Sequence, residues 1–532
     1  MSIFRRKNQT KREKRKRTGK EKAMIILAIV TILFSISVLA AFRGIVYLSD
    51  NTFLIAKFPA VFIVIALVLI AVNSWVLKKK KTNKRIALTV LSVLSLVSLI
   101  ANTIVFTEQM KKKETEISIA VEGSAAVMDG KTFMAGAAKG NITPMDYMMP
   151  MPLLYVLKFD RVVDPVYARV LALSDGDQEA LYITLDMTLV PEVDETIALL
   201  SENTGIPREN IFISATHTHG TTPVSLMDYK GVDGLKVHEW YNQIKEVLLD
   251  TVEMARENMV PARFGYGTGF SQVNVNRDLD GEKSVLGSNF DRPSDKTIRM
   301  MRFESMDGDT IALVTNYACH SVVINGALHA GLRTYWTDDL AGNTSRKIED
   351  KMDGAIVLYS CGAAGDQNPA LRAQYGGPTG DGNPAVKNLG NASFNVLEYL
   401  AEIHSRDILR ANEDIRCTET DGQIYTAEKI VQAKGNEGYV DYTLRLFQIG
   451  NIMFQGIDAE VVTSIGQAVM ETSPCENTIL VTLANGYKGY CADDWEYDHQ
   501  AFETQNSRTI KGAAQKAFVE GFTQMFSEMK QN

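Results

Sequence analysis

The chain has 532 residues, more than the usual size of one domain, and a formal net charge of −7. Residues 1–113 contain 22 Lys and Arg against 4 Asp and Glu, which leaves 34 (56 − 22) against 59 (63 − 4) for residues 114–532. A body with a charge balance of −25 (34 − 59) is not expected to bind nucleic acid, because nucleic-acid binding requires basic residues clustered on the folded part.

Three apolar runs follow the basic N-terminus, at residues 23–42, 58–77 and 86–106, and none contains Asp, Glu, Lys or Arg. Each has the length of about 20 residues that crosses a hydrocarbon core of about 30 Å as a helix. A cleaved signal peptide is the alternative for the first run, but its apolar stretch is long for one and two further runs follow. We therefore expect three transmembrane helices.

The basic flanks of these runs predict the topology. Residues 1–22 carry 11 Lys and Arg and residues 78–85 carry 6, whereas the flank at 111–113 carries 3. Because clustered basic residues are retained in the cytoplasm, residues 1–22 are expected to be a cytoplasmic tail and the chain to leave the membrane outward after residue 106. Residues 107–132 then form a linker. The expected location is a bacterial cell membrane, with multiple passes and the large body of the chain outside the cell.

The body, residues 133–532, alternates β-branched runs with amphipathic stretches, as in "ALYITLDMTLV", "EVDETIALLSENTG" and "NIFISAT". This alternation predicts an α/β domain with a substantially parallel central sheet. In open α/β sheets, ligands bind at the loops that follow the carboxyl ends of the strands.

Histidines mark two of these loops. In "IFISATHTHGTTP", His217 and His219 stand two apart at the predicted end of a strand, so that strand geometry directs both side chains to the same side. They suit a metal or a proton shuttle, and two hydrogen-bonded loop histidines explain the pattern about equally well. His320 closes the strand "IALVTNYACH" in the same way. Two such sites favour one shared zinc ion. Surface positions, or positions near the site, are expected for the remaining histidines, His238, His329, His404 and His499.

Five cysteines are scattered without Cys-x-x-Cys spacing, which argues against a zinc ribbon or a disulfide framework. Buried, unpaired thiols are expected for them. One or two disulfides with a leftover thiol are the alternative.

At the histidine segments the sequence resembles the neutral (non-lysosomal) ceramidases, whose catalytic domain carries an Ala-Thr-His-Thr-His segment. Similar segments follow the family's order over most of residues 133–510: "AGAAKGNITP", "DPVYARVLAL", "SATHTHGTTP", "VNVNR", "NYACHSV", "TDDLAG", "AAGDQNP", "GIDAEVVTSIG" and "ANGYKGYCADDWEYDHQAFE". The resemblance implies a zinc-dependent amidohydrolase that cuts a linear amide, such as an N-acyl sphingoid lipid, by means of zinc-activated water.

The resemblance also implies a ligand set for zinc, namely His217, His320, Glu460 and Tyr490. Two imidazoles, a carboxylate and a phenolate form a four-ligand site that can expand to admit water. Each assignment has a plainer alternative. Glu460 is otherwise an exposed carboxylate at the start of a helix, Tyr490 an ordinary half-buried tyrosine, and Tyr487 is a competing ligand.

Two further residues receive catalytic roles from the resemblance: His219 transfers protons or stabilises an oxyanion, and Arg277 holds a substrate oxygen. Asn368 is expected to donate a hydrogen bond to the substrate carbonyl. A surface ion pair is the alternative for Arg277. Asp339 is expected to orient a zinc-ligand imidazole or, equally, to cap the following helix.

The sequence departs from the family at two of these segments. Asn368 stands where the family has a serine that is sometimes proposed as a nucleophile, and Phe502 replaces a tyrosine. An amide cannot form an acyl-enzyme, which leaves activated water as the nucleophile. The alternatives are a hydrolase of another cell-envelope amide or ester, or a degenerate ligand-binding or sensor domain. The oligomeric state is not predicted.

Overall fold

The structure, a computed structural model, describes residues 132–153, 157–223, 229–328, 333–375 and 387–529. The chain divides between Gly123 and Ser124, and the described residues all belong to the second part. The predicted cytoplasmic tail, the three predicted spans and the linker up to residue 131 lie outside the described residues and stay predictions. Among the helices within the described ranges, none is long and apolar enough to cross a membrane.

The strands and helices alternate along the described chain. The strands are β1 (Met134–Asn141), β2 (Met151–Pro152), β3 (Lys158–Val162), β4 (Tyr167–Ser174), β5 (Glu179–Leu185), β6 (Ile211–Ala215), β7 (Val260–Phe270), β8 (Asn274–Leu279), β9 (Val285–Asn289), β10 (Thr297–Ser305), β11 (Thr310–Tyr317), β12 (Arg333–Trp336), β13 (Ile356–Cys361), β14 (Gln367–Pro369), β15 (Gln374–Tyr375), β16 (Lys387–Asn388), β17 (Ile424–Lys434), β18 (Tyr439–Ile449), β19 (Ile452–Ile457), β20 (Glu460–Val461), β21 (Asn477–Thr482) and β22 (Tyr490–Cys491). The helices are α1 (Val193–Thr204), α2 (Gly231–Glu257), α3 (Asp339–Glu349), α4 (Ser393–Asn412), α5 (Thr463–Met470), α6 (Asp494–Asp498), α7 (Phe502–Gln505) and α8 (Ala513–Met529).

The largest sheet has eight strands in the order β13-β11-β10-β7-β1-β4-β5-β6. The α/β class is therefore confirmed. The expectation of a substantially parallel sheet is wrong, because only the pairs β11–β13 and β5–β6 are parallel and the other five are antiparallel. Consecutive strands β4–β5 and β10–β11 are joined by tight turns at "SDGDQE" and "SMDGDT", where Gly176 and Gly308 have φ of 87° and 100°. Asp-Gly turns of this kind favour antiparallel hairpins.

Helices and a second sheet cover both faces of the large sheet. One part of its outer face packs against α1 and α2, and the other part packs against α3 and α4. Its inner face packs against the four-stranded sheet β17-β18-β19-β21 through aromatic contacts such as that between Tyr182 and Phe454. The far face of this second sheet is covered by α5 and α8. All five cysteines are free, as expected.

The large sheet curls strongly. β13, at one edge, lies against β4, β5 and β6, which belong to the other side of the sheet. Thr218 and Ser321 form an isolated parallel bridge, and the amide of His219 donates to the carbonyl of Ser321 at 3.1 Å. The curl therefore joins the loop that follows β6 to the loop that follows β11.

A buried arginine ties the same region together. Arg169 on β4 is fully buried, with its Nη1 2.6 Å from Asp186 Oδ2 and its Nε 3.0 Å from Glu349 Oε1. Asp186 begins the segment after β5, and Glu349 ends α3. One guanidinium thus connects the large sheet to a covering helix and to the loop that carries Thr188, whose carbonyl contacts His217.

We expect Arg169→Met to destabilise the fold by about 3–5 kcal/mol, because Asp186 and Glu349 would keep buried charges after losing their shared partner. The matched control is Lys511→Met. Lys511 pairs with Asp498 on the surface, with side chains 43% and 62% exposed, and its loss should cost about 0–1 kcal/mol. Urea unfolding followed by circular dichroism measures both. Equal midpoints for the two variants would contradict this account of the Arg169 pairs.

Candidate metal centre

His217 lies in the loop after β6, two residues beyond the end of the strand. Its backbone has a φ of 61°, in the left-handed region that non-glycine residues seldom adopt. The ring is buried, and its Nδ1 lies 2.8 Å from the carbonyl oxygen of Thr188. Because a carbonyl can only accept, Nδ1 carries the proton and Nε2 is left with a free lone pair. The two histidines of this segment therefore converge through a turn and not through strand geometry.

His320 follows β11 and is held in the same tautomer. Its Nδ1 lies 2.8 Å from the carbonyl oxygen of Ala364 and 3.0 Å from that of Gln367, so Nδ1 is the donor and Nε2 is the free nitrogen. The ring is 1% exposed. Burial, followed by the positive charge of Arg277, lowers the pKa of His320 to about 4. His320 is therefore neutral at physiological pH.

Glu460 and Tyr490 face these nitrogens from two short parallel strands, β20 and β22, on which they are direct partners. Glu460 Oε2 lies 3.2 Å from His217 Nε2 and 3.0 Å from His320 Nε2. The Tyr490 hydroxyl lies 3.2 Å from His320 Nε2. Glu460 is buried and precedes helix α5, which begins at Thr463, so the alternative of an exposed carboxylate at a helix start is wrong.

These four side chains fit a zinc ion. Two imidazole lone pairs point at one carboxylate oxygen, and acceptors at such distances repel each other unless a cation or protons lie among them. Burial raises the pKa of Glu460 and the adjacent His217 and His320 lower it, to well below its usual range. That lowering requires positive charge beside the carboxylate, which a proton or a metal ion among these nitrogens would supply. Imidazole nitrogen and carboxylate oxygen are ligands that zinc takes in catalytic sites.

His219 lies at the accessible edge of this group. It is partly exposed, and its Nε2 is 3.3 Å from His217 Nε2. One nitrogen from each of His217, His219 and His320 lies within 4.8 Å of the others. Burial and the two neighbouring imidazoles hold the pKa of His219 well below its usual value. The ring is therefore neutral, and a group that enters from the solvent side can reach it.

Arg277 on β8 is buried beside the same group, so the alternative of a surface ion pair is wrong. Its Nε donates to Glu503 Oε1 at 2.7 Å, and its Nη1 lies 3.4 Å from His320 Nε2. The guanidinium also lies over the rings of Tyr490 and Phe502, at 5.4 and 5.2 Å from their centroids. Glu503 orients this arginine and was missed from the sequence, since nothing in "AFETQ" marks one carboxylate as buried.

Asn368 lies on β14, which pairs with β8 so that Asn368 faces Val275. It is 2% exposed, and within the described ranges its Oδ1 has no hydrogen-bond partner. The preceding residue, Gln367, accepts hydrogen bonds from the backbone and the ring of His320 through its carbonyl. Asn368 is therefore the next residue in sequence after the one whose carbonyl contacts His320.

The expectation that Asp339 orients an imidazole is wrong. Its carboxylate accepts from the backbone amides of Val323 and Ile324, each at 2.8 Å, and from Leu340 at 2.7 Å. Asp339 thus shapes the loop that follows His320. The imidazoles of His217 and His320 are oriented instead by the backbone carbonyls of Thr188, Ala364 and Gln367.

The outlying histidines differ from one another. His404 is buried in the core, where it contacts the Tyr359 hydroxyl at 3.1 Å and Ser271 Oγ at 3.0 Å. The expectation that His404 lies on the surface or near the site is therefore wrong. His238 is exposed on α2. His329 lies outside the described residues.

The fold and the site together define a mixed α/β protein with a large curled sheet and a buried His-Glu-Tyr group suited to a metal. No protein-family model matches the chain. Neutral ceramidase A of Dictyostelium discoideum is 24% identical over 311 residues, which are 53% of this chain and 42% of the relative. Neutral ceramidase B of the same organism is 25% identical over 232 residues, 40% of this chain and 31% of the relative. The chain thus matches less than half the length of these curated relatives.

Solved structures agree with the sequence relatives. The crystal structure of neutral ceramidase from Pseudomonas aeruginosa superposes with a TM-score of 0.60 and 16% identity, covering 75% of each chain. A ceramidase complexed with C2 superposes with a TM-score of 0.59 and 15% identity, covering 75% of this chain and 76% of the other. The predicted resemblance to neutral ceramidases is therefore confirmed, and the chain has their fold.

Both tyrosines that compete as ligand lie beside Glu460. Tyr490 also contacts His320 directly, whereas half-buried Tyr487 packs on the core of α1 and α2. Burial, then the charge of Glu460 and a hydrogen bond with it, raises the pKa of the Tyr487 hydroxyl. We expect Tyr490→Phe to lower the zinc content retained on dialysis against a weak chelator, and Tyr487→Phe to leave it close to that of the wild type. Mass spectrometry of the metal content measures both. The reverse order of retention would make Tyr487 the ligand.

Proposed function

We propose that this protein is a zinc-dependent amidohydrolase of the ceramidase type, anchored in a bacterial membrane by three N-terminal helices with its catalytic domain outside. It hydrolyses a linear amide, and an N-acyl sphingoid lipid is the substrate class that its relatives' names suggest. The matched segments are less than half of the curated relatives, so the activity has to be tested on this chain itself.

One observation carries the proposal: the free Nε2 atoms of His217 and His320 meet Glu460 Oε2 at 3.2 and 3.0 Å in a buried place. These residues, with Tyr490, would hold zinc. The chemistry that zinc supplies in such a site is polarisation of a carbonyl oxygen and activation of water. The protein side chains around it handle protons and oxygen charge.

His219 is the group best placed to move the proton. Hydrolysis adds the oxygen of water to the acyl carbon and breaks the C–N bond, and the departing nitrogen needs a proton. His219 is neutral and more accessible than the other two imidazoles, so it can accept the proton of the attacking water and deliver it to the amine. Positioned acid–base groups of this kind contribute about 10²–10⁴-fold to rates.

Arg277 and Asn368 donate hydrogen bonds to the oxygen of the substrate carbonyl. Arg277 is held by Glu503 through Nε and directs Nη1 toward the histidine group. The amide of Asn368 can donate a hydrogen bond but cannot attack a carbonyl, so the reaction proceeds without an acyl-enzyme at this position. Phe502 lacks the hydroxyl of a tyrosine, which leaves Arg277 and Asn368 as donors to the developing negative charge.

The mechanism predicts a graded set of activities on fluorescent N-acyl substrates. His217→Ala and zinc removal should abolish hydrolysis, because each removes what activates water. His219→Ala should reduce the rate by about 10²–10⁴-fold. Asn368→Ala should lower the rate of hydrolysis by about 10²–10³-fold, because one oxyanion donor is lost, and a measurable residual rate should remain.

Zinc analysis of each variant accompanies these assays, so that loss of metal and loss of a donor are told apart. Asn368→Ala should retain zinc. Hydrolysis that persists after complete zinc removal, or a trapped acyl-enzyme, would contradict the mechanism. A zinc-loaded protein that binds N-acyl compounds without cutting any amide or ester would make it a sensor.

The proposed topology has its own test. Protease added to intact spheroplasts should release the body of the chain, because the basic flanks at residues 1–22 and 78–85 are expected to stay in the cytoplasm. Immunoblotting with an antibody against the body follows the release, and a cytoplasmic marker protein serves as the control. Degradation of the body only after lysis would show that the orientation is inverted.

A further inference from the structure

A cluster of three carboxylates lies behind Arg277. Asp278 is on β8, Glu496 on α6 and Glu503 on α7, and all three are 0% exposed. One oxygen from each lies within 4.8 Å of one oxygen from each of the others. Buried carboxylates are rare in proteins unless they are paired or bind a cation.

Each carboxylate of this cluster uses one oxygen and leaves the other unpaired. Asp278 Oδ1 accepts from Ser284 Oγ at 3.3 Å, and Glu496 Oε2 accepts from the Asp493 amide at 2.9 Å. Glu503 Oε1 accepts from Arg277 Nε at 2.7 Å. The second oxygens, Asp278 Oδ2, Glu496 Oε1 and Glu503 Oε2, are buried and accept no hydrogen bond from a donor group in the described part of the chain. Asp278 and Glu503 lie close enough to share a proton. Each side chain is thus anchored, with one acceptor to spare.

A fourth buried carboxylate nearby shows the contrast. Asp366 Oδ1 accepts from the amide and the hydroxyl of Thr463, at 2.9 and 2.8 Å, and its Oδ2 accepts from Asn276 Nδ2 at 2.8 Å. Both of its oxygens are therefore satisfied by the protein. Asp366 therefore shows that the protein can satisfy both oxygens of a buried acid here. Asp186 and Asp458 each leave one buried oxygen without a partner, but the three clustered residues do so side by side.

The charges of the cluster need compensation. Asp278, Glu496, Glu503 and Asp366 would carry four negative charges against the one positive charge of Arg277. Burial, and then the carboxylate of Glu503, raise the pKa of Asp278 to about 8, and burial raises that of Glu496 well above its usual value. Either protons or a cation must neutralise the group, because an uncompensated buried charge costs several kcal/mol.

We propose that Asp278, Glu496 and Glu503 form a second metal site, which binds a calcium ion through carboxylate oxygens. All its candidate ligands are hard oxygen donors, the type that Ca²⁺ and Mg²⁺ prefer, whereas the histidine group suits zinc. Ca²⁺ takes oxygens at about 2.3–2.6 Å, so oxygens on opposite sides lie up to about 5 Å apart, and Mg²⁺ allows about 4 Å. Oxygens within 4.8 Å of one another are inside the span that Ca²⁺ allows. A buried site made only of protein oxygens suits Ca²⁺ better than Mg²⁺, because Mg²⁺ loses its water reluctantly.

The site would position Arg277. Glu503 offers Oε2 to the calcium ion while its Oε1 holds Arg277, and Arg277 Nη1 lies 3.4 Å from His320 Nε2. A bound cation would therefore hold the carboxylate of Glu503 in place, and that carboxylate in turn holds the guanidinium of Arg277. The calcium site goes beyond the proposed amidohydrolase and does not depend on it, because calcium binding is measured without any substrate.

Equilibrium dialysis of the full-length protein with radioactive Ca²⁺ tests the site. The protein is purified in detergent, stripped with a chelator and reloaded with zinc before the calcium titration. We expect about one Ca²⁺ per chain, and at least tenfold weaker binding in Asp278→Asn and Glu496→Gln. Asp494→Asn, an exposed change on the same helix as Glu496, is the matched control and should bind as the wild type does.

Thermal unfolding of the same samples keeps the test decisive if a variant folds poorly. Millimolar CaCl₂ should raise the unfolding midpoint of the wild type and of Asp494→Asn, and should leave that of Asp278→Asn unchanged. A wild-type protein that binds no Ca²⁺ overturns the proposal. If, in addition, Asp278→Asn is at least as stable as the wild type, protons shared among the carboxylates neutralise the cluster.

Discussion

The structure depends on one electrostatic constraint, the meeting of two imidazole lone pairs with an ionised carboxylate inside the protein. His217, His320 and Glu460 are each at most 5% exposed, and their facing atoms are 3.0–3.2 Å apart. Water cannot separate these acceptors, so the arrangement favours a cation strongly. Backbone carbonyls enforce it, because the proton on each Nδ1 is committed to Thr188 or to Ala364 and Gln367.

The curled sheet makes this meeting possible. β6 is an edge strand, and β11 lies next to the opposite edge in the order of the large sheet. In a flat sheet their loops would be about six strand spacings of 4.7–4.9 Å apart, roughly 29 Å. The curl, with the second sheet packed on its inner face, brings Thr218 beside Ser321. Antiparallel hairpins build most of this sheet, and the two parallel pairs supply the strands whose carboxyl ends carry histidines.

A row of contacting charged side chains leads from the histidine group into the protein interior. Arg277 lies between His320 and Glu503, and Glu503 belongs to the cluster of Asp278 and Glu496. The two groups differ in chemistry, since one offers nitrogen and phenol ligands and the other offers carboxylate oxygens alone. In an interior of low dielectric constant, each member of such a chain affects its neighbours strongly. The position of Arg277 consequently depends on contacts with both groups.

The sequence alone determined the α/β class, the histidines at two strand ends and, through similar segments, Glu460, Tyr490 and Arg277. These are local signals: β-branched runs, polar residues just beyond them and short motifs in a family's order. The Asp-Gly turns at Gly176 and Gly308 were also legible and would have corrected the expected strand directions. Only the tertiary structure decided that Asp339 serves a loop, that Arg277 is buried on Glu503, and that Asp278 and Glu496 join Glu503. Burial and pairing depend on contacts between distant residues, such as Arg277 and Glu503, which are 226 positions apart. Such contacts leave no mark in the local pattern of the chain.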